Sequence, residues 1–169
     1  MREKILPWIA MAHLCLLMML MGGAFFETFI NFPNWFRDVP RSLEATSAFF
    51  VVRNPGNFFQ SLVPLVLLSA VALVSMAWRH RRQRNLLLVS LALLILAEVG
   101  TLMRMYPLIG ALLREGAAQH SVESLREMGR LFLQLNYFRM AVLAVTAFGL
   151  SLPAVTSLVR ATGASKSTV

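Results

Sequence analysis

The sequence GGAFFETFINFPNWF, residues 22–36, decides how the whole chain must fold. It closes a long apolar run that begins at Ile5, and it places a carboxylate, Glu27, inside that run. In a lipid bilayer an ionisable side chain is costly unless it faces other helices or a water-filled cavity. Glu27 therefore indicates either a partner in a soluble core or the interior of a membrane bundle.

Composition decides between these two environments. The chain has 169 residues, of which 57% are hydrophobic and only 14% are charged. This is too apolar for a soluble domain of this length and is typical of a membrane protein. A basic start followed by an apolar run also resembles a signal peptide, but the run is too long and has no small-residue cleavage site. We therefore predict an uncleaved first membrane span.

Four apolar segments each hold about the twenty residues that a helix needs to cross a bilayer. They cover about residues 5–30, 57–78, 85–103 and 131–159. We predict an all-α, polytopic membrane protein, a four-transmembrane-helix up-down bundle, because the short turn between the second and third spans permits only antiparallel neighbours. Residues 1–160 form this single domain, and residues 161–169 are predicted to be a disordered polar tail.

The connections follow from helix breakers and capping patterns. Residues 31–56 contain Pro33, Pro40 and Pro55 and are predicted to be a loop. Ser124 with Glu127 three residues later resembles a capping box, so the fourth helix is predicted to begin there.

The distribution of charge predicts the orientation and the partners. The net charge is +8, and the basic residues cluster at the predicted membrane edges, above all in the turn at residues 79–84. We therefore predict no nucleic-acid partner and expect membrane lipids as the surroundings. The side with both termini has a large excess of Arg and Lys, whereas the opposite side is nearly balanced. The positive-inside rule then predicts a multi-pass protein of the cell membrane with both termini cytoplasmic.

Polar side chains concentrate in the outer half of all four predicted spans. At a rise of about 1.5 Å per residue, Glu98 is expected to lie deeper than the others, whereas Glu27 lies near the outer interface. We expect water to solvate Glu27 there, and we expect Glu98 to need a salt bridge or a chemical function. The predicted layer consists of Glu27, Asn57, Gln60, Glu98, Thr101, Asn136 and Arg139.

The layer contains two carboxylates but one deep cation, Arg139. We predict that Arg139 contacts Glu27 or Glu98, since an unpaired guanidinium at that depth would otherwise have to reach the headgroups. The cluster could be purely structural, with polar contacts that brace the helices. Alternatively, the carboxyl group left without a cation could take up or release a proton in catalysis.

Metal and cofactor sites have little support in the sequence. His13 and Glu27 share nearly one helix face but lie about 21 Å apart along the axis, so they cannot bind one metal ion. No span contains a His-x-x-x-His or Glu-x-x-His pair, which leaves a haem or di-iron site unsupported. We predict no metal and no cofactor.

Several short motifs resemble those of the anthrone oxygenase-like family of small four-helix membrane proteins. They are NFPNW at residues 31–35, RNPGNFF at 53–59, MYPL at 105–108 and NYFR at 136–139, the last being the most typical. The chain departs from the family at Phe132, where a tryptophan is expected, and Glu27 and Glu98 correspond to none of its motifs. The resemblance implies oxidation of a phenolic, tricyclic anthrone to the quinone by O₂, without metal or flavin.

Two functions remain open from the sequence. The first is a cofactor-independent oxygenase-like enzyme for a small apolar aromatic or phenolic substrate in the outer half of the bundle. Glu98 or Glu27 would be the base and Arg139 would stabilise the anion. The second is a non-enzymatic subunit that binds lipids or a protein partner, with a structural polar cluster. For the enzyme, the expected substrate-binding residues are Asn57, Gln60, Thr101, Tyr106, Asn136 and Tyr137.

Overall fold

The computed structural model describes residues 2–164, with side chains from residues 4–162, and every regular element among them is a helix. Five helices follow one another along this part of the chain. α1 runs through Arg2–Phe26, Glu27–Asn31 and Phe32–Trp35; α2 is Arg41–Phe49; α3 is Pro55–Met76; α4 runs through Arg81–Gly100, Thr101–Met105, Tyr106–Ile109, Gly110–Glu115 and Gly116–Gln119; and α5 runs through Val122–Ala144, Val145–Ser151 and Leu152–Ala164.

The four long helices form the predicted up-down bundle. Lys4–Trp35, Pro55–Met76, Arg81–Gln119 and Val122–Thr162 are each long and apolar enough to cross a membrane. Around the bundle α1 packs on α3, α3 on α4, α4 on α5, and α5 again on α1. The protein is therefore a multi-pass membrane protein whose sequential helices are spatial neighbours. We call the end of the bundle away from Arg2 and Ala164 the distal end.

The prediction of a loop over residues 31–56 is wrong in two places. α1 continues to Trp35, because Pro33 lies two residues after the π-helical segment Glu27–Asn31, whose wide turn can accommodate a residue without a backbone N–H. The short helix α2, Arg41–Phe49, follows and packs across the distal end against α1 and α4. Leu43 is its buried anchor, at 2% exposure.

The start of α5 also differs from the prediction. The helix begins at Val122, and the Ser121 side chain accepts a hydrogen bond from the Ser124 backbone N–H at 3.2 Å. Ser121 is thus the N-cap, and Ser124 lies inside the first turn. At the other end α5 continues to Ala164, so the helix includes the first part of the predicted tail; residues 165–169 lie outside the described part of the chain.

π-helical segments interrupt three of the four long helices, and each contains one wide turn that changes which face the helix presents. Such segments often occur at functional sites. In α1 the Phe32 N–H donates to the Glu27 carbonyl, five residues back, and both Glu27 and Thr28 are buried. The segments are Glu27–Asn31, Thr101–Met105, Gly110–Glu115 and Val145–Ser151.

The interior alternates between apolar and polar layers along the bundle axis. Three apolar clusters are centred on Leu6 and Leu73, on Leu17 and Leu143, and on Phe32 at the distal end. Two polar layers separate them. The middle polar layer is His13, Ser69, Ser90 and Ser151, and the distal polar layer is Glu27, Thr28, Glu98, Asn136 and Arg139.

Aromatic packing closes the distal end above its polar layer. Phe132 is fully buried and lies edge-on to Phe32, with ring centroids 4.8 Å apart. Its ring is stacked with that of Trp35 at 6.1 Å. Phe132 stands where the family is expected to have a tryptophan. In this chain a tryptophan of α1, Trp35, packs against the Phe132 ring instead. The cluster packs on the distal side of the polar layer.

Candidate functional site

Glu27 is enclosed at the point where α1 becomes π-helical. Its exposure is 7%, and its Oε1 accepts a hydrogen bond of 2.7 Å from the Asn31 side-chain amide. The second oxygen, Oε2, is buried and has no hydrogen-bond partner among the described residues. An uncompensated buried carboxyl oxygen is energetically costly, so it marks a place where a further group is needed or chemistry takes place.

Glu98 and Arg139 form the ion pair of the distal polar layer, in which Arg139 is buried and Glu98 is half-buried. Arg139 Nη2 lies 3.3 Å from Glu98 Oε1, with side-chain exposures of 9% and 15%. The Arg139 guanidinium carbon also lies 5.2 Å from the centroid of the Phe59 ring, a cation–π arrangement that α3 provides. The predicted contact between Arg139 and a carboxylate is thus confirmed, and its partner is Glu98.

Asn136 links α5 to α1 one helical turn from Arg139. Its side-chain amide donates to Thr28 Oγ1 at 2.8 Å, and Thr28 in turn donates to the Ala24 carbonyl at 2.6 Å. Asn136 is 2% exposed and so is Thr28. Because Thr28 adjoins Glu27, this bond holds the π-helical segment of α1 against α5.

The expected exposures of the two carboxylates are corrected by this geometry. Glu98 is half-buried and has a cation, whereas Glu27 is buried and has only an amide. The expectation that water solvates Glu27 is wrong, because α1 continues beyond it and the aromatic cluster around Phe32 covers the layer. The helix rise gives the position of a residue along the bundle axis, but it does not give how far other parts of the chain bury that residue.

The other predicted site residues lie in different surroundings. Gln60 and Tyr106 meet each other, with the amide donating to the phenol oxygen at 3.3 Å on an exposed edge of the bundle. The Asn57 side chain accepts from the Asn54 N–H at 2.9 Å and so caps α3. Thr101 donates to the carbonyl of Ala97, in its own helix, at 2.8 Å. Tyr137 is 54% exposed, one position away from buried Asn136.

The distal polar layer retains two unpartnered buried atoms, Glu27 Oε2 and Arg139 Nε, among the described residues. A carboxyl group can accept a proton, and a guanidinium N–H can donate to an oxygen that gains negative charge. Both capacities exist within one layer enclosed by apolar clusters, where electrostatic interactions are strong. Within residues 4–162, no three His, Cys, Asp or Glu side chains are grouped to hold a metal ion.

The middle polar layer was not recognised from the sequence. His13 Nδ1 lies 2.8 Å from Ser69 Oγ, and Ser90 Oγ lies 2.6 Å from Ser151 Oγ. Serines and a histidine in apolar spans gave no distinctive signal one by one. A signal did exist: each of them lies one helical turn beyond a core residue, so all four continue the buried stripe of their helix.

A model of the anthrone oxygenase family matches residues 49–150, which is more than half of the chain. The match begins at the end of α2 and contains Glu98, Asn136 and Arg139, whereas Glu27 lies before it. A comparison with curated proteins gave no match, and a comparison with solved structures gave none either. The resemblance carried by the motifs at residues 53–59, 105–108 and 136–139 is thereby confirmed, and the chain belongs to the anthrone oxygenase family.

Proposed function

We propose that the protein is a cofactor-independent oxygenase for an apolar, hydroxylated aromatic substrate, and that the distal polar layer is its reaction site. Family membership supports an oxygenase-like activity. The observation that carries the assignment of the site is the buried, unpartnered Oε2 of Glu27. An enzyme of this kind needs a base, and the second carboxylate, Glu98, already faces the guanidinium of Arg139.

Glu27 is therefore proposed as the catalytic base in preference to Glu98. A carboxyl group shielded from water and held on one oxygen by Asn31 has its other oxygen free to accept a proton from a carbon or phenol acid. Glu98 would neutralise Arg139 and fix its position. Arg139 would then stabilise the enolate or phenolate through Nε, as preorganised donors do where negative charge develops.

The proposed reaction converts a ring methylene to a carbonyl with one molecule of O₂. Glu27 takes a methylene proton, the delocalised carbanion gives electrons to O₂, and a carbon–oxygen bond forms. The peroxide oxygen takes the proton back, and the hydroperoxide then loses water as its O–O bond and the remaining C–H bond break. One oxygen atom stays in the quinone, and the other leaves in water with both methylene hydrogens.

The remaining predicted residues differ in how strongly their positions support a role in substrate binding. Asn136 lies within the layer and would orient a hydroxyl group beside Arg139. Gln60 and Tyr106 stand at an exposed edge of the bundle, where they would contact a part of the substrate that extends beyond the layer. The weakest candidates for substrate contacts are Asn57, Thr101 and Tyr137. The side chains of Asn57 and Thr101 already bind backbone groups, and the Tyr137 side chain is exposed.

The proposal also includes the place of the protein in the cell. We propose the cell membrane with both termini in the cytoplasm, because the turn before α4 and the segments next to the termini are the most basic. A thiol reagent that cannot cross membranes should label Gln119→Cys but not Gln83→Cys in intact cells, with Cys15 replaced by Ser. The reverse labelling would invert the orientation.

Two interhelical contacts support a second, non-enzymatic function. The Glu98–Arg139 pair and the Asn136–Thr28 bond join α4 to α5 and α5 to α1, as a purely structural cluster would. The alternative is a non-enzymatic subunit that binds lipids or a partner protein. In that case Glu27 would have no chemical role.

Turnover by two matched variants tests the proposal. Purified protein in nanodiscs is supplied with a dihydroxyanthrone, and O₂ consumption and quinone absorbance are followed against empty nanodiscs, since anthrones oxidise slowly by themselves. We expect Glu27→Gln to lower kcat by at least about a hundredfold, the usual range for loss of a general base. Glu98→Gln should lower kcat much less than Glu27→Gln does, because it disturbs only the position of Arg139, and it should also lower the melting temperature.

The outcomes separate the possibilities. Wild-type protein that does not exceed empty nanodiscs with any hydroxylated anthrone would reject the oxygenase. Loss of turnover in Glu98→Gln with full turnover in Glu27→Gln would return the base to Glu98. Circular dichroism of each variant shows whether lost turnover reflects lost structure.

A further inference from the structure

A cavity of about 600 Å³ opens at the distal surface between the end of α1 and helix α2. This volume lies in the range of pockets that take small organic molecules, about 300–1,000 Å³. Its floor is the last turn of α1, and one wall is the face of α2 that carries Ser42 and Thr46. Ser42 Oγ ties the two parts together by donating to the Trp35 carbonyl at 2.6 Å. We call this cavity the distal groove.

The lining combines aromatic rings with an excess of positive charge. Trp35, Phe49 and Phe50 contribute rings, and the charged groups are Arg37, Arg41 and Asp38. No salt bridge within residues 4–162 occupies either arginine. With two arginines and one aspartate in its lining, the groove has an excess of positive charge that favours binding of an anion. Arginine binds carboxylates through two parallel N–H donors.

The aromatic part of the lining is more exposed than protein packing requires. Phe49 is 80% exposed although it lies in the last turn of α2, and it meets Phe50 edge-on with centroids 5.1 Å apart. Trp35 is only 5% exposed, so its ring is fixed by the core. A ring fixed by the core at the floor and accessible rings at the rim suit a flat aromatic ligand.

The distal groove is also next to the proposed catalytic base. Asn31 lines the groove, and its side-chain amide is the group that holds Glu27 Oε1. One residue thus touches both the groove and the carboxylate. A ligand seated over Asn31 would lie one side chain away from Glu27, with its charged end toward Arg37 and Arg41.

We infer that the distal groove binds an aromatic ligand that carries a carboxylate or another acidic group, and that it is the entry site for the substrate of Glu27. The second half of this inference rests on the proposed oxygenase function, whereas binding does not. Among hydroxylated aromatic compounds, the substrate is thereby narrowed to those whose apolar ring system also carries an acidic group, and these would approach from the distal surface.

Fluorescence of Trp35 provides a test that is specific for this position. Trp8 and Trp78, at 68% and 61% exposure, lie near the other end of the bundle and can be replaced by Phe. Titration of this variant in nanodiscs of uncharged lipid with a hydroxynaphthoate should quench Trp35 saturably. The matching naphthol, which lacks the carboxylate, should bind about tenfold more weakly.

Removal of the arginines provides the second measurement. Arg37→Gln with Arg41→Gln should weaken hydroxynaphthoate binding by about tenfold, on the scale of two exposed charge contacts. Arg126→Gln is the matched control, since Arg126 is an exposed arginine of α5 outside the groove. The wild-type affinity should also fall with added salt, unlike that of the naphthol.

Several results would overturn the inference. The first is equal affinity for naphthol and naphthoate. The second is an Arg37→Gln/Arg41→Gln protein that binds naphthoate as tightly as the Arg126→Gln protein does. The third is equal fluorescence quenching in a Trp35→Phe protein that keeps Trp8 and Trp78. Saturable binding at Trp35 in a protein without anthrone turnover would keep the groove and reject the oxygenase. Anthrone turnover without binding at Trp35 would keep the oxygenase and reject the groove.

Discussion

The middle polar layer draws on all four long helices and the distal polar layer on α1, α4 and α5, and the two layers satisfy their polar atoms in different ways. The middle layer contains no Asp, Glu, Lys or Arg, and its two short contacts join His13 to Ser69 and Ser90 to Ser151. One ring nitrogen of His13, Nε2, is buried without a partner among the described residues, but it carries no carboxylate or guanidinium charge. The distal layer contains two carboxylates and a guanidinium, and only one carboxylate meets the cation.

This difference shows where the fold accepts an energetic cost. A neutral hydrogen-bonded pair stabilises a membrane bundle slightly and lets helices approach closely. A buried ion pair contributes little net stability, because desolvation offsets the attraction. An unpaired buried carboxyl group costs still more. The charges of the distal layer are therefore poor candidates for structural bracing alone, and the middle layer is a good one.

The largest expected effect is the loss of the cation from the distal layer. Arg139→Leu leaves the half-buried Glu98 without a partner and should lower the free energy of unfolding by about 3 kcal/mol, the lower end of the range for broken buried pairs. The measurement is SDS titration of the protein in mixed micelles. Arg139→Leu combined with Glu98→Leu removes both charges and should recover most of the loss. If the double variant is as unstable as the single one, the ion pair is not the cause.

A smaller effect is expected in the middle layer. Ser90→Ala removes the 2.6 Å contact and leaves the Ser151 hydroxyl buried, which should cost about 1 kcal/mol. Adding Ser151→Ala should change little further, since the stranded hydroxyl is then gone. Additive losses in the same SDS titration would show that the two serines act independently and that the layer is not a set of pairs.

The smallest expected effect has the opposite sign. The Thr146 hydroxyl, just distal to the middle layer on α5, is fully buried and has no partner among the described residues. Thr146→Val keeps the shape and removes this oxygen, so stability should rise by up to about 1 kcal/mol. Thr28→Val is the matched control, because Thr28 accepts from Asn136 and should lose stability. A destabilised Thr146→Val protein would indicate an internal water molecule at that hydroxyl.

The architecture could be predicted from the sequence because it depends on composition summed over long segments. Apolar runs of about twenty residues determine membrane helices, and a short basic turn determines that neighbours are antiparallel. The presence of Arg139 and two acids in one half of the bundle likewise required only the helix rise. That Arg139 would meet one of them followed from the cost of leaving a guanidinium unpaired.

The environment of each group was decided by tertiary structure. Which carboxylate pairs with Arg139 depends on the rotation of α1 against α4 and α5, and the π-helical segment at Glu27 alters that rotation within a few residues. How deeply Glu27 is buried depends on Phe32, Trp35 and Phe132, which meet only when α1 continues past Asn31 and α5 returns beside it. Composition and periodicity carry local preferences, whereas the pairing and shielding of a charge are properties of surfaces brought together from distant parts of the chain.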